Sequence, residues 1–348
     1  LGSAPKEEVM KVLVLAGGNS SEREVSLNSG SAITAGLQRL RYEVSALDPA
    51  TGRSLIDQSG KYAGQLPGTV SSLPATAVSS EVALAMNSGE LRDIDIVFIA
   101  LHGGAGENGT LQNLLELCGR KYTGSNMTAS AVAMNKAMTK RLMATVNVRT
   151  PHWKLYHLEE AEPTPEMLES VAHHFHLPFI VKPNDGGSTV GLTKVERADQ
   201  IGPAFAASFK ESRHVLVEEY VHGRELTVSV LDGVAFPVVE IRPKSGLYDY
   251  EAKYTKGKSE YIVPAPVSEE VRAGLHHAAL QVYEVVGASG LARIDFLLAD
   301  DGRSYCLEIN TLPGMTNLSL APMAAKAAGI EFDQLLDKII QAGLRRKD

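Results

Sequence analysis

The sequence predicts a multidomain protein of the α/β and α+β classes: an N-terminal open parallel α/β sheet, a small central α+β domain and a C-terminal domain built on a mixed sheet. Three observations predict it. First, short apolar runs that end in glycine, KVLVLAGG (11–18) and DIDIVFIALHGG (93–104), alternate with helical patterns, as buried parallel strands do. Second, between about 150 and 195 a strand, a helix, a strand, a glycine-rich loop and a further strand follow in quick succession. Third, the chain becomes strand-rich from His214, and Asp301-Gly302 stands between two apolar runs as a hairpin signal. At 348 residues the chain exceeds what one core fills, so two or three domains are expected. The divisions predicted are 10–125, 126–213 and 214–348.

The elements justify themselves in order. Residues 1–9 (LGSAPKEEV) are expected to be a cloning remnant ahead of a native start at Met10. KVLVL is the first strand. Ser21 and Glu24 have capping-box spacing, so a helix is expected from near Ser21. YEVSALDP and DIDIVFIALHGG are the next strands, and residues 50–90, rich in Ser, Gly, Pro and Ala, read as turns. TLQNLLELCG is a short helix stopped at Gly119. TASAVAMNKAMTKRLMATVNV (128–148) has helical apolar spacing. HWKLYHL is a strand, and TPEMLESVAHHFH is a helix capped by Thr164 with Pro165 at its first position. PFIVKP, LTKV, HVLVEEYV, ELTVSVLDG and VAFPVVEI are strands, and helices return at 268–286 and 319–345.

Composition narrows the function. With 44% apolar and 22% charged residues the chain has a globular balance. A net charge of -7 argues against a general nucleic-acid or membrane-surface binder, without excluding a local basic pocket. No apolar run reaches membrane-spanning length and no signal peptide is visible. The two cysteines, Cys118 and Cys306, both in apolar surroundings, read as buried thiols in a reducing compartment, and no zinc spacing exists.

The hairpin carries the most specific chemistry. A two-residue turn at Asp301-Gly302 sets Asp300 opposite Arg303, Asp295 opposite Glu308 and Arg293 opposite Asn310. Residues two apart share a face, so Arg293, Asp295, Glu308 and Asn310 line one side while Ile294, Phe296, Leu307 and Ile309 enter the core. Opposed carboxylates destabilise a sheet unless a cation binds both. The donors are all oxygen, which suits a hard ion such as Mg²⁺ that takes phosphate oxygens as further ligands. The alternative is a solvated face with an Arg–carboxylate pair. TLPGMT follows directly, and a Pro-Gly turn there would bring backbone N–H donors beside the acids.

Other stretches fit a phosphate ligand. In VKPNDGGSTVG (181–191) Lys182 ends a strand, Gly186 and Gly187 permit close backbone approach, and Ser188 and Thr189 add hydroxyls. It is not a Walker A loop, and by itself it fits a plain hairpin turn equally well. Lys136 is either a second phosphate lysine or a solvated helix lysine. LVEEYVHGRE places Glu218, Glu219 and Glu225 at a strand end, where backbone plus an acid can read adenine and ribose. Glu22 sits at a strand-to-helix junction, and His102 at another on the carboxyl edge of the same sheet, either touching substrate or capping the strand. LYDYEAKYTKGKSEYIVPAP (247–266) lacks periodicity and reads as a lid or an ordinary surface loop, with Lys253 and Tyr254 in it.

Together, GGNSSEREVSLNSG, LHGGAGENGTLQ, YTGSNMTASAVAMNK, GGSTVG, YDYEAKY and RIDF…LEINTLPGMT resemble the ATP-grasp superfamily and, within it, the D-alanine–D-alanine ligase family, from about Val12 to the C-terminus. The resemblance implies the ATP-grasp fold, with an N-terminal substrate-binding domain and ATP held by the other two. It implies that Lys136, Lys182, Gly187, Ser188 and Lys253 serve the phosphates, that Glu218 and Glu225 contact adenine and ribose, and that Asp295, Glu308 and Asn310 hold two Mg²⁺, with Mn²⁺ as a substitute. Glu22 would bind the ammonium of the first D-alanine, in a hydrogen-bonded group with Ser188 and Tyr254. Arg293 and the Gly314 backbone would hold the oxyanion, His102 would lie at the substrate, and Ser319 would bind the second D-alanine's carboxylate. A cytoplasmic homodimer serving peptidoglycan synthesis, cell-wall biogenesis and cell shape is implied, with D-alanine and ATP as its small-molecule partners.

The chain departs from the family's commoner residues at a few positions. Asp185-Gly186 stand where Arg or Glu often precedes the GS pair, MNK replaces MDK, GENG replaces GEDG, and Leu318 occupies a frequently polar position. Tyrosine at position 254 is associated in the family with D-alanine as acceptor, and phenylalanine with D-lactate. A D-alanine–D-lactate ligase, a nucleotide-binding regulator without catalysis and an NAD-dependent dehydrogenase are the competing readings. The incomplete glycine fingerprint disfavours the last.

Overall fold

The computed structural model describes residues 9–63, 93–160, 162–187, 189–244 and 258–346. The expected remnant up to residue 8, most of the expected turn region 50–90, Ser188, and the Lys253 and Tyr254 segment of the expected lid lie outside the described residues. The chain forms two compact units: one takes the described residues through Met127, Ser289–Leu291 and the residues from Leu312 onward, and the other takes Thr128–Ala288 and Ala292–Thr311.

In the first unit β1 (Lys11–Leu15) lies parallel to both β2 (Glu43–Asp48) and β4 (Ile96–Ile99), with β3 (Arg53–Ser54) antiparallel on the far edge of β2. Val12, Leu13, Val14 and Leu15 are all buried, because both faces of a central parallel strand are covered; this is why KVLVL is a continuous apolar run. Helix α1 (Arg23–Arg39) joins β1 to β2. It begins one residue later than the capping-box spacing indicates. Ser20, not Ser21, makes the turn, its hydroxyl accepting from Glu22 N–H at 3.2 Å and its carbonyl accepting from Arg23 N–H at 3.2 Å. Glu22 is thereby the residue before the first turn, and its side chain makes no capping bond. The short α2 (Gly104–Glu107) and α3 (Thr110–Leu117) follow β4. Gly119 stops α3 as expected, with its N–H on Glu116 O and that of Arg120 on Leu115 O. Because the helix ends at Leu117, Cys118 is carried out to the surface, so only Cys306 is a buried thiol. The C-terminal helical stretch is two helices, α9 (Leu320–Ala327) and α10 (Phe332–Arg345), separated at Gly329. Helix α10 packs along α1, with a two-point Arg39–Asp333 bridge at 2.8 and 2.6 Å and a Tyr42–Asp337 hydrogen bond at 2.6 Å. Those long-range partners place the last segment with the first sheet and not with the 214–310 strands that sequence proximity groups it with.

In the second unit, residues 128–148 form two helices instead of one, α4 (Met127–Met134) and α5 (Lys136–Thr145). Asn135 breaks the run: it leaves helical geometry and caps α5, its side chain accepting from Met138 N–H at 2.9 Å. An antiparallel sheet in the order β5 (Trp153–His157), β8 (His214–Glu219), β6 (Phe179–Pro183), β7 (Thr193–Val195) packs against α6 (Pro165–His174) and α7 (Ile201–Phe209). Thr164 caps α6 as predicted. Strand β8 sits between β5 and β6, so the boundary expected at 213/214 cuts through this sheet. Phe179, Val181, Val215 and Val217 fill the core under the helices, and period-two alternation turns Lys182 and Glu218 to the opposite face.

The second sheet runs β12 (Ser259–Ile262), β11 (Val239–Pro243), β9 (Gly223–Leu231), β13 (Leu291–Ala299), β14 (Ser304–Asn310), with β10 (Val234–Ala235) turning back on β9. Its apolar face packs on α8 (Glu269–Val286) through Leu226, Val228, Ile294, Phe296 and Ile309. The β13–β14 register matches the expectation where it matters: Arg293 pairs with Asn310 and Asp295 with Glu308. Nearer the turn it differs. Ala299, not Asp300, faces Arg303, because the connection holds three residues with Gly302 at φ +83°. A bulge between Asp295 and Phe296 absorbs the extra residue, Phe296 then pairs with Cys306, and Leu307 is left half-buried while Cys306 takes the core position.

Candidate active site

On the polar face of the β13–β14 hairpin the two acids stand directly opposite each other, and each has a cation. Arg293 grips Asp295 with Nε–Oδ1 and Nη2–Oδ2 distances of 2.8 Å, and the Thr227 hydroxyl donates to Asp295 Oδ1 at 2.6 Å. The Lys136 ammonium lies 3.3 Å from Glu308 Oε2. The Arg–carboxylate pair set out as the alternative is therefore present, yet this face is not simply a solvated one. Both side chains of that pair are less than a fifth exposed, at 14% and 18%. Among the described residues no three carboxylates, imidazoles or thiols converge, so any ion here rests on two carboxylates and the Asn310 amide. That donor set is hard, anionic and on one face, which fits Mg²⁺. A carboxylate has about four lone-pair sites, so the three contacts to Asp295 leave room for a metal bond.

Lys136 is not a solvated helix lysine. It opens α5 directly after the Asn135 cap, is buried, and donates from Nζ to the Gly186 carbonyl at 2.5 Å. One ammonium thus joins the glycine-rich loop to a predicted metal carboxylate. Asn184, which sequence reasoning missed, orients this junction. Its side chain accepts from Ala137 N–H at 2.8 Å and donates to Asp185 Oδ1 at 2.7 Å, while its carbonyl accepts from Lys136 N–H at 3.2 Å. Asp185 also accepts from the Ser212 hydroxyl at 3.1 Å, so the acid that departs from the family's commoner residue anchors the start of the loop. The MNK variant is likewise accommodated, since Asn and Asp cap helices about equally well. Gly187 is exposed at the end of the described part of the loop.

Glu218 is buried with both oxygens facing lysines, Oε1 at 2.8 Å from Lys140 Nζ and Oε2 at 2.8 Å from Lys182 Nζ. Burial by itself would raise its pKa; the two ammonium charges outweigh that and hold it below the usual carboxylate range. Its carboxylate is therefore an ion-pair partner of both Lys140 and Lys182. Lys140 was missed, although Lys136, Lys140 and Met143 fall at i, i+4 and i+7, the spacing of an inward stripe. Glu225 is half-buried on β9, two residues before Thr227 and so on the face that carries Asp295.

In the first unit Glu22 is buried, and a side chain on Gly103 would meet its Oε2 at 2.8 Å, so this glycine, at φ +66°, is required for the carboxylate to occupy its place. His102 is buried with Nδ1 3.0 Å from the Leu312 carbonyl and Nε2 3.0 Å from the Ser29 hydroxyl. A carbonyl only accepts, so Nδ1 donates to Leu312, and Nε2 shares the second bond with the Ser29 hydroxyl. Ser29 Oγ in turn accepts from Met315 N–H at 3.3 Å. The imidazole thus ties the 312–315 loop, which contains Gly314, to α1. Gly314 is half-buried against Ser319, whose hydroxyl accepts from Thr316 N–H at 3.0 Å at the start of α9. A helix start with a serine at it favours a carboxylate ligand.

Two lysines, a glycine-rich loop between antiparallel strands and a paired-acid hairpin are thus brought together in the second unit. A family model described as D-ala D-ala ligase N-terminus matches residues 11–125, and one described as D-ala D-ala ligase C-terminus matches 142–341. The D-alanine–D-alanine ligase of Syntrophotalea carbinolica is 38% identical over 337 residues, covering 97% of each chain, and that of Gloeobacter violaceus is 40% identical over 338 residues, covering 96% of this chain and all of the other. Among solved structures, the Bacillus anthracis D-alanine–D-alanine ligase complexed with ATP superposes with a TM-score of 0.76 at 31% identity, over 97% of this chain and 98% of that one. The VanG D-Ala:D-Ser ligase of Enterococcus faecalis gives 0.75 at 27% identity, over 97% of this chain and all of the other. The chain belongs to the D-alanine–D-alanine ligase family.

Proposed function

We propose that the protein joins two molecules of D-alanine into D-alanyl-D-alanine at the expense of ATP, through an acyl phosphate, for peptidoglycan precursors, as a cytoplasmic homodimer. The observation that carries this reading is the Lys136 ammonium, shared between the glycine-loop carbonyl at 2.5 Å and Glu308 at 3.3 Å, with Glu308 paired to Asp295 across the hairpin. This contact supports a reading in which the phosphate ligands and the metal ligands belong to one site.

The residue types suit the chemistry. A carboxylate is a poor acyl donor at neutral pH, so the first D-alanine is activated by the γ-phosphoryl group. Glu22 pairs with its ammonium. The carboxylate oxygen attacks the γ-phosphorus and ADP leaves. Lys136 and Lys182 bear the nucleotide's phosphate charge, Gly187 and Ser188 flank it, and Glu225 takes the ribose. When bound, two Mg²⁺ (or Mn²⁺) on Asp295, Glu308 and Asn310 would offset the crowded charge of the phosphates. The amine of the second D-alanine, its carboxylate on Ser319, then attacks the acyl carbon and phosphate leaves. Arg293 and the Gly314 N–H donate to the oxyanion formed on the way, a contribution of roughly 3–4 kcal/mol in comparable sites. A guanidinium has five N–H donors, so the fork to Asp295 does not exhaust Arg293. Lys253, in the segment outside the described residues, would reach the transferred phosphate, and Tyr254 of the same segment would join Glu22 and Ser188 in a hydrogen-bonded group.

The test is incubation with ATP, Mg²⁺ and D-alanine, with D-serine and D-lactate as competing acceptors. ADP, phosphate and D-alanyl-D-alanine are expected in equal amounts. Nucleotide turnover that ignores D-alanine, or a depsipeptide as the main product, contradicts the reading.

A further inference from the structure

The buried cluster of Lys140, Glu218 and Lys182 holds two ammonium groups and one carboxylate. Lys140 lies at the closed end with 0% of its side chain exposed, and Lys182 lies at the open end with 9%. The Lys140 ammonium also contacts the Thr150 hydroxyl, a neutral group. Burial depresses Lys140 below the usual lysine range, against the pull of Glu218 and with the repulsion of Lys182, which marks a lysine kept at a cost to stability. A buried pair of Lys182 and Glu218 would be electrically complete and would offer nothing to an anion. The second lysine unbalances it.

We propose that Lys140 is a positioning residue for nucleotide binding: by neutralising Glu218 from behind, it leaves the charge of Lys182 uncompensated at the open end of the cluster, where a phosphate of the nucleotide completes it. The inference rests on the ligase reading and adds to it a residue that never touches the nucleotide. It also explains why a carboxylate stands beside a phosphate lysine: Glu218 fixes Lys182 in place, and Lys140 cancels the charge that Glu218 brings.

The test uses the full chain and ADP with Mg²⁺ as the probe, followed by calorimetric titration and by thermal melting with and without ligand. Lys140→Met leaves the neutral Lys182–Glu218 pair, so the ligand-free variant is expected to melt at or above the wild-type temperature while its Kd for ADP rises roughly tenfold or more. Lys140→Gln, which keeps an amide donor for Thr150, is expected to raise the Kd similarly, and Lys140→Arg to restore much of the affinity. KM for D-alanine should stay near wild type in the Met and Gln variants. A folded Met or Gln variant that binds ADP as tightly as wild type overturns the inference and leaves the ligase reading intact. Wild-type protein that binds no ADP overturns both.

Discussion

Glu308 shows how a single side chain can be held in an unfavourable place. It faces Asp295 across the hairpin, a like-charge pairing that costs stability, and Lys136 offsets the cost at 3.3 Å. With 32% of its side chain exposed, it contributes little to packing. Glu308→Gln is therefore expected to leave the melting temperature within a few degrees of wild type while turnover falls by roughly two to three orders of magnitude, the scale seen when one electrostatic partner of a reacting centre is removed. Steady-state rates near wild type at saturating ATP would contradict the role. Residues of this kind were legible in the sequence, because an acid inside an apolar run needs a cationic partner or a ligand to offset its desolvation. Lys140, Asn184 and Ser29 were not. Each makes its contacts with residues far along the chain, Lys140 with Glu218, Asn184 with Ala137 and Ser29 with His102; helical spacing marks Lys140 as inward-facing without naming its partner, and nothing local marks the other two. His102 was legible as a site of interest, but its two ring bonds show it organising the Gly314 loop.

Among the elements, the β13–β14 hairpin joins two local features that compensate each other. A three-residue turn shifts the pairing by one, and the bulge at Asp295/Phe296 shifts it back, so the polar face keeps the register that a two-residue turn would have given. Asp-Gly signals both kinds of turn, and the difference lies in whether one or both central residues take positive φ; only Gly302 does so here. Gly302 has no atom within 4 Å of a notional Cβ, so Gly302→Ala isolates the backbone term. It is expected to lower unfolding stability by about 1–2 kcal/mol in denaturant titration and leave kcat unchanged. A loss of activity at full stability would mean that the turn serves catalysis directly. The helix misread at 128–148 has a similar local cause. Apolar spacing runs straight through Asn135, and only its side-chain bond to Met138 N–H shows that one helix ends and another starts there.

For the whole molecule, the grouping of segments depends on pairings that sequence distance conceals. Strand β8 completes the sheet of the preceding segment, and α10 returns to α1 through Arg39–Asp333 and Tyr42–Asp337, so segments distant along the chain share one unit. Within a chain of net charge -7, the lysines at positions 136, 140 and 182 are buried in specific company, not spread over a surface. The central claim is that the acids of β13 and β14 exist to bind divalent ions that carry a nucleotide's phosphates. The most direct measurement is a Mn²⁺ titration followed by electron paramagnetic resonance, in the presence of ADP, on wild type and on folded Asp295→Asn and Glu308→Gln variants. Two Mn²⁺ bound per wild-type chain, and one or none in each variant, is the predicted result; wild-type stoichiometry and affinity retained in both variants would contradict it.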